Sequence, residues 1–174
     1  MEIELHERST VEQLRAIQDG GADIGLVRPP IEPGAGLRTE VVMRERTIAA
    51  VPAGHRLARL RRVPLSRLAV EPLVLFPRDQ APGFHDLLTG RLAETGASPQ
   101  IVQYAPEMLT IIGLVAAGIG VSPVPASVGH LALDGVVYRP LSGAPDTELV
   151  AVTREENQSP LVRAFVDEAR GRAR

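Results

Sequence analysis

The stretch Ala105 to Ser127, APEMLTIIGLVAAGIGVSPVPAS, leaves the chain few ways to fold. Pro106 suits a first helical position, where its missing N–H breaks no bond, and the apolar run to Ala117 reads as a helix stopped at Gly118. No linker follows, because the chain turns straight into the strand VSPV. QIVQY supplies a strand on the other side of the helix, so the segment predicts a strand, helix, strand unit and hence parallel pairing. Upstream, the fully apolar PLVLFP reads as a buried parallel strand. The loop RDQAPG then leads into a helix from about Phe84 to Glu94, with Leu87, Leu88 and Leu92, that stops at Gly96. Two such units fill the middle of the chain.

The flanks follow the same grammar. Ile3 and Leu5 alternate with Glu2, Glu4 and His6, which predicts a short strand. Ser9 or Thr10 then caps a helix, and two capping boxes fit, Ser9 with Glu12 and Thr10 with Gln13. Val11, Leu14 and Ile17 make one apolar stripe, Gly20-Gly21 ends the helix, and ADIGLV returns as a strand, a further parallel unit. RPPIEPGAG is a loop, LRTEVVMRERTIAAVPAG supplies one or two strands, and GVVYRPL and ELVAVTR are the last strands. Ser159 caps a closing helix with Pro160 at its first position and a stripe of Leu161, Phe165 and Ala169. Alternating strands and helices predict an α/β fold.

Composition excludes several function classes. With 174 residues, 44% of them hydrophobic, the chain can bury roughly 70% of its unfolded surface, enough for one core or two small subdomains. A formal charge of -2 gives no field for a polyanion, although all 19 basic residues are arginines. Arg56, Arg59, Arg61, Arg62 and Arg67 crowd one segment, either as an anion patch or as a solvated connector. No cysteine is present, so there is neither a disulfide nor a thiolate. The start, MEIELHERST, is not an export signal, and no apolar run reaches membrane-spanning length. Aromatic residues make up 3%, too few for a platform that stacks single-stranded nucleic acid or sugars.

Signatures of chemistry are missing as well. His6, His55, His85 and His130 are scattered without metal-ligand spacing. There is no GxSxG elbow and no GxxxxGK[ST] loop, and the glycines of AAGIGVS follow a helix, the reverse of a dinucleotide fingerprint. Glu155 and Glu156 lie in a polar loop, as solvated charges do. No enzyme activity, cofactor or metal is expected.

Four stretches in order resemble the effector-binding domain of LysR-type transcriptional regulators. TIAAVPAGHRLA followed by VPLSRLAVEPLVLFPR looks like the family's strand, PAGHPLA turn and second strand, with Arg56 where proline is usual. LTIIGLVAAGIGVSPVPAS is similar to its helix-to-strand signature, and LVRAFVDEAR resembles its closing helix. The resemblance runs over essentially the whole chain. It implies a type 2 periplasmic-binding-protein fold: two Rossmann-like α/β subdomains with mainly parallel sheets, joined by two crossover strands. Residues 1–47 with 147–174 would form the first subdomain and 48–146 the second, with hinges near RTIAAV and APDTEL. A small-molecule effector would lie in the cleft between them.

In such sheets ligands bind beyond the carboxyl ends of strands, where helix N-termini favour anions. Ser9-Thr10, the DQAPGFH loop and the turn ending at Met108 fall at such ends, which suits a small carboxylate. The resemblance adds Thr10, Arg28, Pro82 and Phe84 as contacts in members that respond to aromatic acids and their ring-cleavage products. Most have a plainer role open to them: helix capping for Ser9 and Thr10, a surface ion pair for Arg28, packing for Phe84 and Met108.

The resemblance further implies a homodimer, a cytoplasmic location, and DNA binding only through an N-terminal winged helix that this chain lacks. A strand and helix of the family pattern would precede Glu7, so a fragment of a longer regulator is expected. A solute-binding protein of a transporter, or an enzyme on the same scaffold, are the alternatives.

Overall fold

The structure is a computed structural model and describes residues 3–172. In chain order its elements are α1 (Thr10–Gln18), β1 (Gly25–Val27), β2 (Leu37–Glu45), β3 (Thr47–Pro52), β4 (Val63–Pro64), α2 (Leu65–Leu68) and β5 (Pro72–Leu75). Then come α3 (Pro82–Ala93), β6 (Gln100–Tyr104), α4 (Met108–Ala116), β7 (Ser122–Pro125), β8 (Val136–Ser142), β9 (Thr147–Arg154) and α5 (Pro160–Arg172). The chain divides into two compact units. The first takes the residues up to Arg44, Asp79–Ala81, and those from Glu148 onward; the second takes Glu45–Arg78 and Pro82–Thr147.

In the first unit β9 lies between β1 and β2. Strand alternation sends Val150 and Val152 to one face, where they pack with Ile17 of α1, and Ala151 to the other, where it packs with Val166 of α5. Both faces of the sheet are therefore covered by a helix, as an α/β layer requires. Gly25 is demanded by this packing, since a Cβ there would lie 2.7 Å from Ile17 Cδ1. Arg154 ties sheet to helix by donating to Ile17 O at 2.7 Å and Ala22 O at 3.0 Å.

Three expectations are corrected in this unit. Ile3 and Leu5 form no strand, and Leu5 is 88% exposed. With no strand at Ile3 and Leu5, the first strand, helix, strand reading yields no parallel pair, and β1 instead runs antiparallel to β9. In α5 Val162 and Val166 are buried and Ala169 partly so, whereas Leu161 is 58% exposed and Phe165 36%. Both candidate stripes have helical spacing, and the sheet selects the one whose Val166 meets Val42 and Ala151.

The second unit carries a four-stranded sheet ordered β4-β8-β3-β7. β3 is antiparallel to both β7 and β8, and β4 is parallel to β8. β5 and β6 pair in parallel around α3, as PLVLF and QIVQY predict, and Leu73 bridges to Val121 in parallel. The α/β class is thus observed with antiparallel ladders beside the parallel ones. A Cβ on Gly120 would come 2.5 Å from the Pro72 carbonyl oxygen, which explains the glycine where β5 and the start of β7 close up.

Two helix starts differ from expectation. α3 begins at Pro82 rather than near Phe84, and α4 begins at Met108 because Glu107 is extended (φ -104°, ψ 140°), leaving Pro106 outside the helix. The PAGHRL turn is a structural device. His55 Nδ1 accepts from Leu57 N, Nε2 lies 3.5 Å from the buried Glu71, and Arg56 pairs with the same carboxylate. Arg59, Arg61, Arg62 and Arg67 are exposed, the arrangement of a solvated connector.

Candidate functional site: the start of α1 and the aromatic end of the β5–β6 pair

In the first unit the S-x-x-E signal at Ser9 closes a capping box. Ser9 Oγ accepts from Glu12 N at 3.2 Å and donates to Glu12 Oε2 at 2.8 Å, while Ser9 N donates to the same oxygen at 2.9 Å. The Thr10 and Gln13 alternative is displaced, because Gln13 instead links α1 to β1, its Oε1 accepting from Leu26 N at 2.8 Å and its Nε2 donating to Arg8 O at 2.9 Å. Hydrogen bonds from the Ser9 hydroxyl and backbone hold the Glu12 carboxyl below its ordinary range.

Thr10 is placed differently from Ser9. Its N–H donates to Gln80 O at 2.9 Å, which anchors the Asp79–Ala81 segment on the first unit. Its half-buried hydroxyl makes no hydrogen bond among the described residues. The cap therefore consumes Ser9 and leaves the Thr10 hydroxyl as the uncommitted polar group at the α1 start. Arg28 follows the last residue of β1, is half-buried, and is engaged by an interaction within the protein.

In the second unit the parallel pair ends in aromatic residues. Phe76 follows β5 and Tyr104 closes β6. The first turn of α3 brings Phe84 onto Phe76 as a stacked pair, centroids 5.3 Å apart and planes 4° from parallel. His85 meets the edge of Phe76 at 5.8 Å and Tyr104 at 6.3 Å. Pro82 opens α3, and Met108 of α4 packs, with Phe76, against Val74, Ala105 and Ile111. The whole chain has three Phe, two Tyr and no Trp, so three of its five aromatic rings gather at this one strand end.

Polar groups frame the rings. Arg78 Nε and Nη2 donate to the two Asp86 oxygens at 2.8 and 2.7 Å. That pairing lowers the Asp86 carboxyl pKa and raises that of Arg78. His85 Nδ1 lies 3.4 Å from Asp86 Oδ1, and its Nε2 is buried without a hydrogen-bond partner.

Sequence reading thus placed Ser9 beside Thr10, and Pro82 near Phe84, on two helix starts. It missed Phe76, His85 and Tyr104. An aromatic residue at the carboxyl end of each parallel strand was the signal that would have found two of them; nothing local marks His85. Among the described residues there is no cluster of three or more His, Asp or Glu able to hold a metal, and no helix is long and apolar enough to cross a membrane.

The family model for the LysR substrate binding domain matches residues 1–174. Curated relatives include the regulator IlvR of Caulobacter vibrioides, 38% identical over 168 residues, which make up 95% of this chain and 56% of that protein. CatR of Pseudomonas putida is 33% identical over 165 residues, 94% of this chain and 56% of that protein. The chain thus spans just over half the length of these relatives. Among solved structures, the BenM effector binding domain with its effector benzoate superposes with a TM-score of 0.80 at 28% identity, covering 97% of this chain and 77% of that one. CbnR, a LysR family transcriptional regulator, gives 0.81 at 25%, covering 98% and 59%.

Proposed function

The chain belongs to the LysR substrate-binding domain family, and from that membership we propose that it is the ligand-sensing part of a transcription regulator whose effector is a small aromatic or dicarboxylic acid. The observation that carries the ligand class is the gathering of Phe76, Phe84 and Tyr104 beyond the carboxyl ends of β5 and β6, where open α/β sheets bind ligands. Planar rings in a chain so poor in aromatic residues suit a flat, unsaturated ligand. The benzoate held by the BenM domain is of this kind.

On this reading the first unit's candidate ligand contacts are Thr10, through its uncommitted hydroxyl, and Arg28, through its charge. Ser9 keeps the helix start in shape. In the second unit the candidate contacts are Pro82, Phe84 and Met108. The protein acts by binding rather than by catalysis, works in the cytoplasm as a homodimer, and reaches DNA through a part of the regulator outside this chain. Residues 1–47 with 147–174 and 48–146 serve as its two functional subdomains.

The test is a calorimetric titration of the protein with benzoate and a panel of aromatic and dicarboxylic acids, backed by thermal shifts. A ligand present at 100 times its Kd adds about 2.7 kcal/mol to stability, which is readily seen as a raised Tm. A panel in which no acid binds or stabilises would refute the proposal.

A further inference from the structure

His85 sits on α3 with a side chain only 8% exposed, and one of its ring nitrogens is orphaned. An ionised Asp86 carboxylate only accepts hydrogen bonds, and the two-pronged contact from Arg78 fixes where its oxygens point. The proton of a neutral imidazole therefore belongs on Nδ1, facing Asp86 Oδ1 at 3.4 Å. Nε2 is left as a bare acceptor inside a ring cluster of Phe76 and Tyr104. A buried acceptor without a donor is costly, and natural cores rarely keep one.

Resting on the sensing role proposed above, we infer that His85 Nε2 is a specificity-determining acceptor: it selects effectors that carry an O–H or N–H donor on the planar acid. A carboxylate alone cannot satisfy it, having no proton to give. A ring hydroxyl can. Arg78 and Asp86 are positioning residues for this contact, since they set the tautomer and do not touch the ligand.

Calorimetric titration of the protein with benzoate, the three monohydroxybenzoates and the matching methoxybenzoates tests this. At least one hydroxybenzoate should bind roughly tenfold or more tighter than benzoate, while its methoxy counterpart, of similar shape but without a donor, should not. His85→Leu should erase that preference yet still bind benzoate, and His85→Gln, which retains an acceptor oxygen, should recover part of it. Asp86→Ala should weaken the preference without removing benzoate binding.

Nitrogen-15 spectra of the imidazole in the unaltered protein give a readout that does not depend on any variant folding: the Nε2 resonance should move with the preferred hydroxybenzoate and stay put with benzoate. Equal affinities across the three classes, a preference that survives in His85→Leu, or an Nε2 resonance indifferent to the hydroxyl overturns the inference while leaving acid sensing intact. Failure of every acid to bind overturns both.

Discussion

Ser9 and Thr10 are neighbours at one helix start, yet their hydroxyls face different demands. Ser9 Oγ is fully occupied by Glu12, so Ser9→Ala should cost about 1 kcal/mol of stability by thermal or urea melting. Thr10→Val should leave the melt nearly unchanged and weaken binding of whichever acid the titration identifies. A reversed result would assign the ligand contact to the cap residue. Glu12 and Asp86 both have carboxyls held below the ordinary range, by Ser9 and by Arg78 respectively. A carboxyl depressed in the folded state stabilises above its unfolded value, about 4.3 for glutamate and 3.9 for aspartate, and that contribution is lost as pH falls through the folded value. Melting curves between pH 3 and 6 should therefore show a shallower acid decline in Glu12→Gln than in the parent. The capping box was legible because S-x-x-E is a local code. His85 was not, because its burial depends on Phe76 and Tyr104, nine residues before it and nineteen after it.

At the level of elements, α5 shows how an amphipathic helix can be read one residue out of register. Leu161 and Phe165 share a face, and so do Val162 and Val166; the sheet buries the second pair. Val166→Ala should then cost about 2 kcal/mol, from two lost methyl groups plus a partly collapsed cavity, whereas Leu161→Ala should stay within about 0.5 kcal/mol. Denaturant midpoints with unchanged slopes would check both. The interiors of α1, α3 and α4 and the strands β5 and β6 were legible from periodicity and glycine stops, whereas the alternation of Ile3 and Leu5 forms no strand. Helix starts were less so, because Pro106 satisfies the rule for a first position while the extended backbone of Glu107 delays the helix to Met108.

For the molecule as a whole, the two units differ in how deeply their strands are held. β3 is flanked by β7 and β8 and contributes Ala49, Ala50 and Val51, each 0% exposed. β1 is a three-residue edge strand. Native-state hydrogen exchange should find the β3 amides exchanging only through the largest openings and the β1 amides through smaller, local ones. Equal protection in both would mean that the chain opens as a single cooperative block.

The order of strands and helices, their glycine stops, the capping box and the resemblance carried by the PAGHRLA and GLVAAGIGVSPVP segments can all be read from residues close together in the chain, because hydrogen bonding and amphipathic spacing operate over a few positions. Which strands far apart in the chain become neighbours cannot. β1 pairs with β9, more than a hundred residues away, and does so antiparallel, and no local pattern encodes a partner at that distance. The same holds for the site: the cap at Ser9 is local chemistry, whereas Phe76, Phe84, His85 and Tyr104 meet only because parallel pairing of β5 and β6 brings two strand ends and a helix start to one place.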